Sequence, residues 1–99
     1  MALITWSKGL GSLLELASLE KLNIQNYPHN NLDPITSMVN LKQLYLTSRK
    51  LESLKGIEKL GNLEVLDLYN CPYLVSMAGT ENCPKLNVIE VEACNRVSA

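Results

Sequence analysis

The apolar residues of this chain follow two rhythms that alternate along its length. One is Leu-x-x-Leu-x-Leu, met at Leu19/Leu22/Ile24, Leu41/Leu44/Leu46, Leu63/Leu66/Leu68 and Leu86/Ile89/Val91. It predicts a short strand with the first, fourth and sixth positions facing one way and the residues between them facing the other. The second rhythm is an apolar residue every third position, clearest in Leu51, Leu54, Ile57, Leu60 and then Leu63. That spacing predicts a 3₁₀-like or short helical turn with one face inward. Leu32, Ile35 and Met38 lead into Leu41 in the same way, and Leu10, Leu13 and Leu16 lead into Leu19.

The first leucines of the four units stand 22, 22 and 23 residues apart. An interval of this size marks a stack of units, none of which buries its apolar face alone. The expected organisation is a single domain over 1–99: a partial or capping unit at 1–18, repeats at 19–40, 41–62 and 63–85, and a truncated last repeat at 86–99. Leu3, Ile4 and Trp6 are expected on a first strand. Ser12-x-x-Glu15 has capping-box spacing, and Asp33-Pro34 reads as an N-cap followed by proline at the first helical position. The return segment Val75 to Cys83, with Met77-Ala78-Gly79, is expected to follow a looser path.

The run from Leu51 through Leu54, Ile57, Leu60, Leu63 and Leu66 to Leu68 resembles the 22-residue class of leucine-rich repeats. Bacterial internalins and a eukaryotic phosphatase-regulating subunit carry this class, and the resemblance spans Leu10 to Val97. It implies an α/β fold: a curved right-handed leucine-rich-repeat solenoid with a parallel sheet of about four to five short strands on its concave face. Short helical or 3₁₀ turns would cover the convex side. The family places Asn or Cys at the ninth position of each repeat, where the side chain bonds the backbone of the turn. Here that position holds Tyr27, Arg49, Cys71 and Cys94. Only the last two fit, so irregular turns are expected in the first two units.

Composition narrows the function. The chain is 46% hydrophobic without a single Phe, and its net charge of −1 comes from nine basic and ten acidic residues. No basic tract exists to neutralise phosphates, which argues against nucleic acid or an anionic membrane as partner. No basic leader precedes an apolar run, and Leu10 to Leu19 is interrupted by Glu15, so neither a signal peptide nor a membrane span is expected. Three cysteines without a Cys-x-x-Cys pair favour a reducing, cytoplasmic setting. Cys71 and Cys94 fall at equivalent positions of adjacent layers, within disulfide reach, but parallel side chains disfavour the bond. They are expected as buried reduced thiols, and Cys83 as a back-side or loop thiol.

Catalytic and cofactor motifs are missing. There is no phosphate-binding glycine loop, no His-Glu-x-x-His and no zinc spacing, so no catalytic residue, metal or cofactor is assigned. Gly9-Leu10-Gly11 serves only a tight turn. The sole histidine, His29, lies in the turn-rich Tyr27-Pro28-His29-Asn30-Asn31.

Recognition is therefore sought on the outward side of the sheet. The third repeat positions are Lys21, Gln43, Val65 and Val88; the fifth, Asn23, Tyr45, Asp67 and Glu90; the seventh, Gln25, Thr47, Tyr69 and Glu92. Asn23, Gln43, Tyr45, Asp67, Tyr69, Glu90 and Glu92 are the candidate contact residues. Tyrosines supply anchors, and acids steer a basic partner. The expected function is a non-catalytic, bacterial protein-interaction module, by analogy an immunity partner for a basic toxin. The alternatives are a structural solenoid that self-assembles through thinly covered ends, or a targeting piece of a longer leucine-rich-repeat protein such as a phosphatase regulator or bacterial effector.

Overall fold

The structure, a computed structural model, describes residues 2–5 and 19–97. Five short strands form one parallel sheet whose spatial order is the chain order: β1 (Ala2–Thr5), β2 (Lys21–Gln25), β3 (Gln43–Leu46), β4 (Val65–Tyr69) and β5 (Val88–Glu92). From β2 onward each step in the sheet is one sequence period, while β1 is offset from β2 by 20 residues (Ala2 pairs with Leu22). Leu22 pairs with Leu44, Leu44 with Leu66 and Leu66 with Ile89. Parallel neighbours need a crossover, and 3₁₀ turns at Asp33–Ile35, Ile57–Lys59 and Thr80–Asn82 lie on three of them. No α-helix occurs among the described residues. β1 contains Leu3 and Ile4 as expected, whereas Trp6, the Ser12–Glu15 box, Gly9-Leu10-Gly11 and the Leu10/Leu13/Leu16 series lie outside the described residues.

The three-residue rhythm has a direct backbone counterpart. Ile35, Met38 and Leu41 donate their N–H groups to the carbonyls of Leu32, Ile35 and Met38 at 3.0, 3.1 and 3.1 Å. Ile57, Leu60 and Leu63 do the same to Leu54, Ile57 and Leu60 at 2.9, 2.9 and 3.1 Å. With i to i+3 bonding, side chains three apart eclipse one another, so one apolar face is enough. Leu32, Ile35, Met38, Leu41, Leu51, Leu54, Ile57, Leu60 and Leu63 are all buried. They meet the strand residues Leu22, Ile24, Leu44, Leu46, Leu66 and Leu68 in a single core.

A second ladder ties layer to layer where the strands begin. The Glu20 carbonyl accepts from Lys42 and Gln43, that of Lys42 from Glu64 and Val65, and that of Glu64 from Asn87 and Val88, at 2.7–3.1 Å. One carbonyl thus satisfies two donors of the next unit at each step. Repetition of backbone bonds accompanies repetition of leucines.

Two local expectations change. Asp33 is not the cap of its turn: Leu32 holds that place, Asp33 is the first turn residue and Pro34 the second. The Asn31 side-chain oxygen accepts the Asp33 N–H at 3.0 Å, an Asx turn that does the work expected of Asp33. The third return is also more regular than expected. Gly79, at φ 105°, precedes the Thr80–Asn82 turn as Gly56, at φ 100°, precedes Ile57–Lys59. Its irregularity lies in packing, with Val75 exposed and Met77 only partly buried. No helix among the described residues is long and apolar enough to cross a membrane.

Candidate functional site

The outward columns stand as the repeat pattern places them. Asn23 pairs with Tyr45, Tyr45 with Asp67, and Asp67 with Glu90; Tyr69 pairs with Glu92, and Gln43 sits beside Lys21 and Val65. Parallel strands lie about 4.8 Å apart, so Asp67, Tyr69, Glu90 and Glu92 form one patch over β4 and β5.

The two tyrosines differ in availability. Tyr45 is half-buried; its hydroxyl donates to Gln43 Oε1 at 3.1 Å and Lys21 Nζ lies 5.5 Å from its ring centroid. Neighbours on the same sheet already occupy it. Tyr69 is 52% exposed. Glu90 and Glu92 are exposed and Asp67 is half-buried. None of these carboxylates has a cation within 4.0 Å among the described residues, where Lys42–Glu20 is the one ion pair. Asp67 and Glu90 are directly opposed like charges, an arrangement that costs about 0.2–1 kcal/mol in a sheet.

The strand ends explain how the turns cope with their ninth positions. Asn26, Asn70 and Ala93 follow the seventh positions of their units with φ of 59°, 54° and 54°. Asn tolerates this left-handed region, whereas Ala93 bears a cost of about 1 kcal/mol. The ninth residue then turns inward. Cys71 and Cys94 are buried and not joined by a disulfide, with sulfurs near the carbonyls of Leu46 and Leu68 at 3.9 and 3.8 Å. Burial, and next the neighbouring Cys94, pushes the Cys71 thiol up to about 12. Cys83 is also buried, 3.5 Å from the Ile57 carbonyl on the crossover side. Burial raises its pKa, with Glu58 and Glu81 adding to the effect.

Tyr27 fits the interior despite its size. It is 1% exposed, its hydroxyl donates to the Asn31 carbonyl at 2.7 Å, and its N–H donates to the Thr47 carbonyl at 2.9 Å. Burial, and to a lesser extent Asp33, holds its phenol well above the usual range.

The second unit departs from the pattern. Arg49 is exposed, and Ser48, one residue earlier, takes the interior place. The Ser48 hydroxyl donates to the Tyr27 carbonyl at 2.6 Å and accepts from the Lys50 and Leu51 N–H groups at 3.0 and 2.9 Å. The repeat count misses this because β3 ends at Leu46, one turn residue early. The available signal was a small hydroxyl residue beside an arginine that cannot be buried unpaired.

The same shift turns Arg49 and Lys50 outward into a cavity of about 470 Å³ beyond the strand ends, which His29, Asn30, Glu52 and Tyr73 also line. His29 packs edge-on against Tyr27 with ring centroids 5.5 Å apart. No group of three or more His, Cys, Asp or Glu able to hold a metal ion occurs among the described residues. In comparisons with known proteins, no family model, curated protein or solved structure matches this chain.

Proposed function

We propose that the chain is a leucine-rich-repeat solenoid that acts as a non-catalytic protein-interaction module, taking a basic segment of its partner on the outward face of β4 and β5. The observation that carries this reading is the unpaired acidic cluster. Asp67 and Glu90 face each other across adjacent strands with no cation within 4.0 Å among the described residues. A fold gains nothing from this repulsion, and a basic partner relieves it. Tyr69, exposed beside Glu92, supplies the anchor.

The test separates binding from folding. Glu90→Lys places a cation opposite Asp67, so the isolated domain should become more stable while affinity capture from a lysate of the source organism loses its partner. Tyr69→Ala should weaken capture with little change in stability. Retention of the same co-purifying protein by both variants would refute the reading.

A second reading, association of copies through the β5 end, is favoured by a separate observation. Ile89 and Val91 are 47% and 37% exposed, whereas the equivalent Leu66 and Leu68 are fully buried. Light scattering that finds a monomer at high micromolar concentration would refute it.

A further inference from the structure

We infer that the groove beyond the carboxyl ends of β2 and β3 is a second binding site, built to take a carboxylate side chain of an acidic peptide segment. It is formed by two adjoining depressions of about 470 and 280 Å³ that share Pro28, Arg49 and Lys50. The two cations are therefore common to both depressions. Neither has an acidic partner within 4.0 Å among the described residues, although Glu52 lines the same wall.

Their position follows from Ser48. Its hydroxyl fills the turn and accepts the Lys50 and Leu51 N–H groups, which leaves Arg49 and Lys50 as consecutive residues on the outside of a fixed loop. The backbone around Asn30 and Glu52 is also held by hydrogen bonds. The Asn30 carbonyl accepts from Glu52 and Ser53 at 2.9 and 3.1 Å, and the Glu52 carbonyl accepts from Val75 at 3.2 Å. Tyr73 lines the larger depression, with the Arg96 guanidinium 5.3 Å from its ring centroid. A site with ordered backbone walls binds without much ordering cost.

The chemistry selects the ligand. Arg49 offers planar paired donors and Lys50 a point charge, and both recognise oxyanions. Both depressions are open, the larger mainly polar and the smaller mainly apolar, whereas pockets for free small molecules are mostly apolar and enclosing. A side chain presented by a longer chain lying in the groove fits better. Glu52 in the wall and a net charge of −1 disfavour a polyphosphate strand. The groove lies at the strand ends of the first layers, apart from the acidic patch on β4 and β5, and does not depend on it.

The experiment is a titration of the ¹⁵N-labelled domain with a capped hexapeptide of alternating Glu and Gly, followed by amide shifts. Shifts should localise to 28–30, 49–52 and Tyr73. Arg49→Ala with Lys50→Ala should weaken binding roughly tenfold, the loss of two exposed charge-assisted contacts. Glu52→Gln should tighten it, and Glu90→Lys should leave it unchanged. Equal binding of a Gln/Gly peptide, or an unaltered affinity in the double variant, would overturn the inference. So would glutarate alone matching the peptide, which would make the site one for a free dicarboxylate.

Discussion

Replacing Ser48 by alanine tests whether this residue, and not Arg49, performs the ninth-position role in the second unit. The hydroxyl makes three bonds, of which those to the Tyr27 carbonyl and the Leu51 N–H join residues that are 1% and 0% exposed. Lys50 is exposed, so water replaces its bond at little cost. Losing the bond to Tyr27 costs about 1 kcal/mol, and leaving the buried Leu51 N–H unsatisfied costs about 1–3 kcal/mol. The expected loss is therefore about 2–4 kcal/mol, a large share of the roughly 5–15 kcal/mol available to a domain. In urea unfolding the midpoint should fall by about 1–2 M. Ser48→Cys should recover part of the loss, since the next two layers hold Cys71 and Cys94 inside the corresponding turns. Arg49→Ala should stay within about 0.5 kcal/mol of the parent, as surface substitutions do. A costlier Arg49→Ala than Ser48→Ala, or a Ser48→Ala loss under about 0.5 kcal/mol, would refute the assignment.

Gly56→Ala should destabilise by more than the roughly 1 kcal/mol of left-handed strain alone, because a Cβ there would meet Asp33 Oδ1 at 2.8 Å and Thr36 Cγ2 at 2.9 Å; thermal melts of Gly56→Ala and of Gly61→Ala, where nothing lies within 4 Å, give the comparison. Cys71, Cys83 and Cys94 should resist a thiol reagent in the folded protein at neutral pH and react together on unfolding, a result read by mass spectrometry of the labelled chain. The raised Cys71 pKa also fixes the sign of an alkaline effect. The unfolded thiol loses its proton near its ordinary value of 9.0 and the folded one near 12, so its contribution is fully present below pH 9.0 and is lost as pH rises toward 12. Cys71→Ala should flatten that slope in stability measured against pH, and an unchanged slope would contradict it.

The layered core was legible because its signals are periodic. Sequence spacings of 22, 22 and 23 became strand-to-strand register without a slip, and the every-third-residue leucines became i to i+3 bonded turns. What the count missed lies where length changes by one residue. The count assigns Arg49 by number, but the physical requirement is a small polar group inside the turn, and Ser48 meets it one place early. Asp33 and Asn31 show the same one-place exchange at a 3₁₀ turn. In both places hydrogen-bonding need overrode position, and in the second unit the displaced residue became part of a groove.

The outward face was legible in a different sense. Alternation places Asn23, Tyr45, Asp67 and Glu90 in one column, and the register confirms that they are neighbours. Column membership does not say which side chains are available. Tyr45 and Tyr69 look equivalent as candidates, yet Gln43 and Lys21 hold the first while the second stands free. Availability depends on neighbours both within the unit, as Gln43 is to Tyr45, and one layer before, as Lys21 is, so column membership alone does not give it. Along the column the partners change from Asn23–Tyr45 to Tyr45–Asp67 to Asp67–Glu90, and only the last pair sets like charges directly across adjacent strands. The core beneath that pair, Leu66 and Leu68, does not require an acid above it. Folding alone would tolerate Asn or Thr at either place and gain by the exchange. We therefore propose that the carboxylates serve a partner outside the fold, for which a basic surface would be the complement.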